Sequence, residues 1–173
     1  VNDFKIFLTD ASGNEYTAKV EDGSADAKTY WAAEELAGGL PTAAASFHYV
    51  DPNCTKVIAV ANLGDDLTFA EYKQLANLEI GNQQKQDNLV LYDEATLTAA
   101  GKQHNDTNAD GGVYVSDVYE AKITLTPRVS RFEVDGFAVK FADDPKYNEI
   151  NITQIAFQNY YPETSVITGE ESG

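Results

Sequence analysis

The sequence predicts a mostly β protein: a β-sandwich of about seven strands with one short helix. Three observations carry this. Most segments alternate apolar and polar residues with period two, are rich in β-branched and aromatic side chains, and are separated by Gly, Pro, Asn and Asp. A single stretch, residues 67 to 76, has helical period and its own start signal. The chain has 173 residues, 43% of them apolar, which suits one domain able to bury a core without disulfides or metals.

In chain order, DFKIFLTDASGNEYTAKVE reads as a β-hairpin. Phe4, Ile6 and Leu8 alternate with Lys5 and Thr9, the turn runs from Asp10 to Asn14, and Tyr16, Ala18 and Val20 alternate with Thr17 and Lys19. Phe7 interrupts the polar face, so both faces of this strand are expected to be covered. Residues 21 to 46 read as a long loop with a helical turn. SFHYV, the turn Asp51-Pro52-Asn53 and TKVIAVANL follow, and the run from Val57 to Ala61, apolar on both faces, predicts a central strand. Thr68-Phe69-Ala70-Glu71 has the form of a capping box, with Leu67 and Tyr72 as a hydrophobic staple. A helix of about three turns is expected to pack on the sheet through Phe69, Tyr72, Leu75 and Ala76.

GNQQKQD reads as a loop, NLVLY as a short strand, Gly101 to Gly112 as a polar connection and Val113 to Val118 as a strand. The segments YEAKITLTPRVSRFEVDGFAVKF and INITQIAFQNYYP complete the count. Within the first of these the apolar phase changes between Val129 and Phe132, beside Pro127, which predicts a bend. Of the only two arginines, Arg131 lies at the change itself and Arg128 on the face that is outward before it; both are expected to be exposed and to meet carboxylates such as Glu133.

The formal net charge of −16 disfavours nucleic acid and anionic lipid as partners. No run of apolar residues is long enough to span a membrane, and the N-terminus lacks a signal-peptide pattern. The single cysteine, Cys54, cannot form an internal disulfide.

Asp106-Thr107-Asn108-Ala109-Asp110-Gly111, with Asp117 at the twelfth place, follows the spacing of a calcium loop whose ligands would be Asp106, Asn108, Asp110 and Asp117. Against it, the closing residue is Asp rather than Glu and no amphipathic helix flanks it; the competing reading is a solvated connection between strands. His48 and His104 stand apart from each other and from Cys54 in sequence, which gives no zinc pattern. Tyr160-Tyr161-Pro162 has the makings of an aromatic platform for sugar, or of rim packing. Asn53, Asn105 and Asn151 head glycan-acceptor triplets, relevant only in a eukaryotic secretory host. No nucleophile elbow, P-loop or dinucleotide fingerprint occurs, so a non-enzymatic protein without cofactor, calcium aside, is the expectation.

Taken together, FKIFLTDASGN, KVIAVANLGD, LTFAEYKQLANL, ITLTPRVSRFEVDG and INITQIAFQNYYPETSV cover most of the chain. Their order and content resemble the N-terminal domain of the fimbrillins, the type V pilins of Gram-negative gut and oral bacteria. The resemblance implies a transthyretin-like Greek-key β-sandwich exported as a lipoprotein, cleaved by a protease and polymerised into a fimbrium on the outer membrane by donor-strand exchange. It implies other fimbrial subunits as partners through a donated β-strand, and a host or bacterial surface receptor for adhesion. Val1 stands two residues before the first strand, so that strand is expected to lack a preceding partner and to line the assembly groove with Phe4, Ile6 and Leu8. The sequence departs from the family in three respects. Residues 1–173 read as a single domain ending in a linker at 165–173; no C-terminal domain or donor segment is matched; and Cys54, the only cysteine, lies inside the domain rather than at a lipidation site. The alternative expectation, from a different class, is a carbohydrate-binding β-sandwich of a surface glycan-capture system, with structural calcium at the Asp106 loop.

Overall fold

Phe4, Ile6 and Leu8 on one side and Phe7 on the other make the first strand apolar on both faces, and the computed structural model buries every residue of it, from Asp3 to Thr9 (β1). The structure describes residues 1–39, 46–75, 78–79, 89–107, 111–129, 135–136, 138, 140, 146, 149–156, 163–164 and 171–172. The architecture is mostly β, with antiparallel sheets and one short α-helix, as a β-sandwich requires.

The remaining strands are β2 (Glu15–Tyr16), β3 (Tyr30–Ala32), β4 (Lys56–Ala61), β5 (Leu78–Glu79), β6 (Leu91–Thr96), β7 (Thr98–Thr107), β8 (Val113–Glu120), β9 (Thr126–Pro127), β10 (Glu163–Thr164) and β11 (Glu171–Ser172). The main sheet runs β2-β1-β4-β6-β9, and β3 also pairs with β1. Along one edge, β1 pairs with β4 from Phe4↔Ala61 to Thr9↔Lys56. Its other edge is shared: β3 takes Asp3 to Lys5, β2 takes Leu8 and Thr9, and the Ile6 N–H donates to the Thr29 carbonyl at 2.8 Å between them. β5, β10 and β11 form a small separate sheet, and β7 and β8 form a two-stranded ribbon.

Side-chain alternation divides the core in two. Phe4, Ile6, Leu8, Trp31, Val57, Ala59 and Ala61 form one cluster, joined from outside the ladder by Ala121, Ile123 and Leu125. Phe7, Ile58, Val60, Phe69, Tyr72, Val90 and Tyr92 form the other, under the helix. That helix (α1, Phe69–Gln74) is shorter than the expected three turns: Leu75 leaves helical geometry at ψ 130°. So short a helix gains little from its own propagation and is held by its ends. The capping box forms as expected, Glu71 N–H donating to Thr68 Oγ1 at 3.2 Å and Thr68 N–H to Glu71 Oε2 at 2.8 Å. Glu15 of β2 accepts from the Phe69 N–H at 3.0 Å, and Lys73 Nζ donates to the Gly13 carbonyl at 2.8 Å.

The motif Val-Ala-Asn-Leu-Gly at the end of β4 is a connector. Asn62 takes a left-handed backbone (φ 64°), which Asn tolerates better than most residues. Its Nδ2 donates to the Leu89 carbonyl at 2.6 Å, and buried Asp3 accepts from the Leu63 and Gly64 N–H groups at 2.9 and 2.8 Å. The buried aliphatic stem of Lys5 carries its ammonium to Asp66, 2.6 Å away.

Several expectations are corrected. The loop from residue 21 carries its expected helical turn, as a 3-10 turn (Ala33–Glu35), but it also contains a strand, β3. The polar stretch after Gly101 is strand rather than connection, because ladder bonds with β8 hold it extended without an apolar face. Residues 150–156, the described part of the strand expected from Ile150 to Asn159, have no ladder partner among the described residues, and Ile150, Ile152 and Ile155 are exposed.

Candidate functional site

Phe4, Ile6 and Leu8, expected to line an open groove, lie in the core instead. β1 has partners on both edges, so the first strand offers no vacant edge to a donor.

Of the four residues of the expected calcium loop, the described ones are Asp106 and Asp117. Asp106 stands opposite Tyr114, whereas Asp117 stands opposite Gln103, three ladder steps or about 10 Å further along the ribbon. Asp117 also accepts from Gln103 Nε2 at 3.0 Å. Asn108 and Asp110 fall outside the described residues, and among the described residues no group of three His, Cys, Asp or Glu side chains could hold a metal. Tyr160, Tyr161, Arg131 and Glu133 also lie outside them. Arg128 is not the outward arginine expected: its guanidinium carbon lies 3.5 Å from the centre of the Tyr92 ring.

What the fold does bring together is the ribbon and the turn after β2. Lys19 exchanges backbone hydrogen bonds with His48 (2.8 and 3.0 Å), fixing the segment before Asp51 beside this turn. Val20 N–H donates to the Ala25 carbonyl and Gly23 N–H to the Val20 carbonyl, with Gly23 at φ 71°. Asp22 Oδ1 accepts from the N–H and hydroxyl of Ser24 at 2.9 and 2.6 Å, and these bonds hold its carboxyl below the usual carboxylate range. The Tyr49 ring lies against Gly23, and Tyr49 has a left-handed backbone, φ 53°.

From the ribbon, His104 brings its ring to 5.3 Å from that of His48 and its Nε2 to 3.4 Å from Glu21 Oε1. The chain's only two histidines therefore meet across 56 residues of sequence, and no local pattern announces it. A cleft of about 420 Å³ opens between the two elements, lined by Val20, Glu21, Asp22, Asn105 and Thr107.

The ribbon's other strand is the less covered one. Val113, Val115 and Tyr119 of β8 share one face by alternation and are 64, 61 and 56% exposed. Among the described residues, β8 has no ladder partner besides β7. No helix among the described residues is long and apolar enough to cross a membrane.

No protein-family model matches the chain, and comparison with curated proteins and with solved structures gives no significant match.

Proposed function

We propose that the protein is a structural subunit of a cell-surface fimbrium of a Gram-negative bacterium, non-enzymatic, and joined to its neighbours by an exchanged β-strand. The observation that carries this reading is β8, a strand of eight residues that has no ladder partner besides β7 among the described residues and holds Val113, Val115 and Tyr119 exposed on one face, with Asp117 between them. A two-stranded ribbon is marginal by itself in water, and an open apolar edge is a template for a further strand. Main-chain bonds along that edge supply affinity, and the spaces around Val113, Val115 and Tyr119 supply register. The segment order FKIFLTDASGN, KVIAVANLGD and ITLTPRVSRFEVDG supports the same class. The accepting edge is thus moved from β1 to β8.

The test is size-exclusion chromatography with electron microscopy of the full-length, protease-matured subunit, beside Val115→Lys, which places a charge on the accepting face. Polymers from the parent protein and monomers from the variant are expected. Monomers from the parent under all conditions, or polymers unaffected by the lysine, would refute it.

A further inference from the structure

The cleft between the Val20–Ser24 turn and β7 shares a ribbon face with Val113 and Val115 but lies on the β7 side, away from the outer edge of β8, and its chemistry points to a different kind of ligand. We infer that it binds a neutral saccharide.

The argument begins with which wall groups are still able to bond. Glu21 is directed to His104, and Asp22 Oδ1 is taken by Ser24. What remains is Asp22 Oδ2, the Asn105 carboxamide and the Thr107 hydroxyl, none of which has a side-chain partner among the described residues. Asn105 and Thr107 are two residues apart on β7 and so lie on one face of it, opposite Val115 and Val113. The wall therefore presents an acceptor, a paired donor and acceptor, and a hydroxyl, around apolar Val20. Vicinal sugar hydroxyls, each of which both donates and accepts, match that set.

Other ligand classes match it less well. A net charge of −16 repels anions. One free carboxylate oxygen is a poor cage for a cation, and no metal-holding trio exists among the described residues. The volume lies at the lower end of small-molecule sites, room for one or two sugar rings. Beside the wall, Tyr49 supplies an aromatic surface. Its backbone is left-handed, φ 53°, and such outliers cluster at functional positions. Tyr49 is 37% exposed, with its ring against Gly23 next to Asp22.

The experiment is a glycan array carrying neutral, amino and sialylated glycans, followed by amide-shift titration of the full chain with the best neutral binder. Saturable shifts centred on residues 20–24 and 104–107 are expected. Asn105→Ala and Asp22→Ala should each weaken binding by about tenfold, the loss expected for one good polar contact. Lys122→Ala should leave it unchanged. Both wall positions are exposed, and an unaltered amide spectrum of the free variants separates lost contacts from lost structure. No neutral glycan bound, a preference for sialylated glycans, or binding indifferent to both substitutions would overturn the inference. Because the readout is sugar binding by monomer, failure here leaves the polymer reading untouched, and the reverse also holds.

Discussion

Replacing Phe7 by Ala tests the two-faced core most directly. Phe7 is fully buried, with the rings of Phe69 and Tyr72 each 5.2 Å from its own. Removing a buried phenyl ring costs about 3–5 kcal/mol when its surroundings cannot close the hole. Here one wall is sheet and the other a helix of six residues held by end bonds, so partial collapse by α1 favours the lower half of that range. With an m-value of about 2 kcal/mol per molar urea, the midpoint should fall by about 1.5–2 M. Part of the loss belongs to the aromatic pairs, so a double-mutant cycle of Phe7→Ala with Phe69→Ala should show a coupling of about 0.5–1.5 kcal/mol. The cycle with Trp31→Ala, in the cluster on the opposite face, should be additive within about 0.5 kcal/mol. A loss below about 1 kcal/mol, or equal coupling to Trp31 and Phe69, would refute the separation of the faces.

Three other measurements probe different parts of the fold. Asn62→Ala forces a left-handed backbone on alanine and removes the bond to Leu89, so it should destabilise by about 1–3 kcal/mol in urea unfolding; Asn62→Gly, which keeps the backbone freedom, should cost less. The Asp10 carboxyl is lowered from 3.8 to about 2, chiefly by the Asn14 side chain, with further bonds from the Asn14 and Ser12 N–H groups and the Tyr16 hydroxyl. A folded pKa below the unfolded one means its stabilisation is complete above about pH 4 and is lost as pH falls through about 2. A carboxyl NMR titration should show that midpoint, and Asp10→Asn should abolish this part of the acid dependence. Burial pushes the Cys54 thiol up, so iodoacetamide should label the native protein slowly and the urea-unfolded protein fast; rapid native labelling would contradict its placement in the core.

Elements that rest on local chemistry were legible in the sequence. The capping box at Thr68 and Glu71, the two-faced strand around Phe7 and the central strand from Val57 to Ala61 need only neighbours a few residues away. What was hidden depends on distant pairing. TAAGKQHNDT has no apolar alternation, and β8 rather than its own pattern makes it a strand. Tyr30–Ala32 is a strand because β1 has an edge to fill. The cleft arises in the same way: Asp22 and Asn105 belong to two distant segments, and their approach follows from the Lys19–His48 bridge and the His48–His104 contact. A composition that is merely polar in each segment lines a cleft only where the ribbon meets the turn.

Arg128 shows how an apparent binding residue is absorbed by the framework. An arginine in a strongly acidic chain invites an anion, but this guanidinium covers the face of Tyr92, where the ring quadrupole attracts it. Tyr92 donates its hydroxyl to Glu94 at 2.6 Å, and Glu94 also takes Lys56 Nζ at 3.0 Å. The Tyr92 bond leads the causes that hold the Glu94 carboxyl low, with Lys56 and Arg128 adding to it. The positive charge is therefore already matched by a ring and a carboxylate of β6. The Arg128 N–H meanwhile reaches the Val90 carbonyl at 3.2 Å, one bond beyond the two ladder pairs of β9. Backbone and side chain together pin the segment after Pro127 to the sheet edge beside the helix-covered core, which is the work of a framework residue.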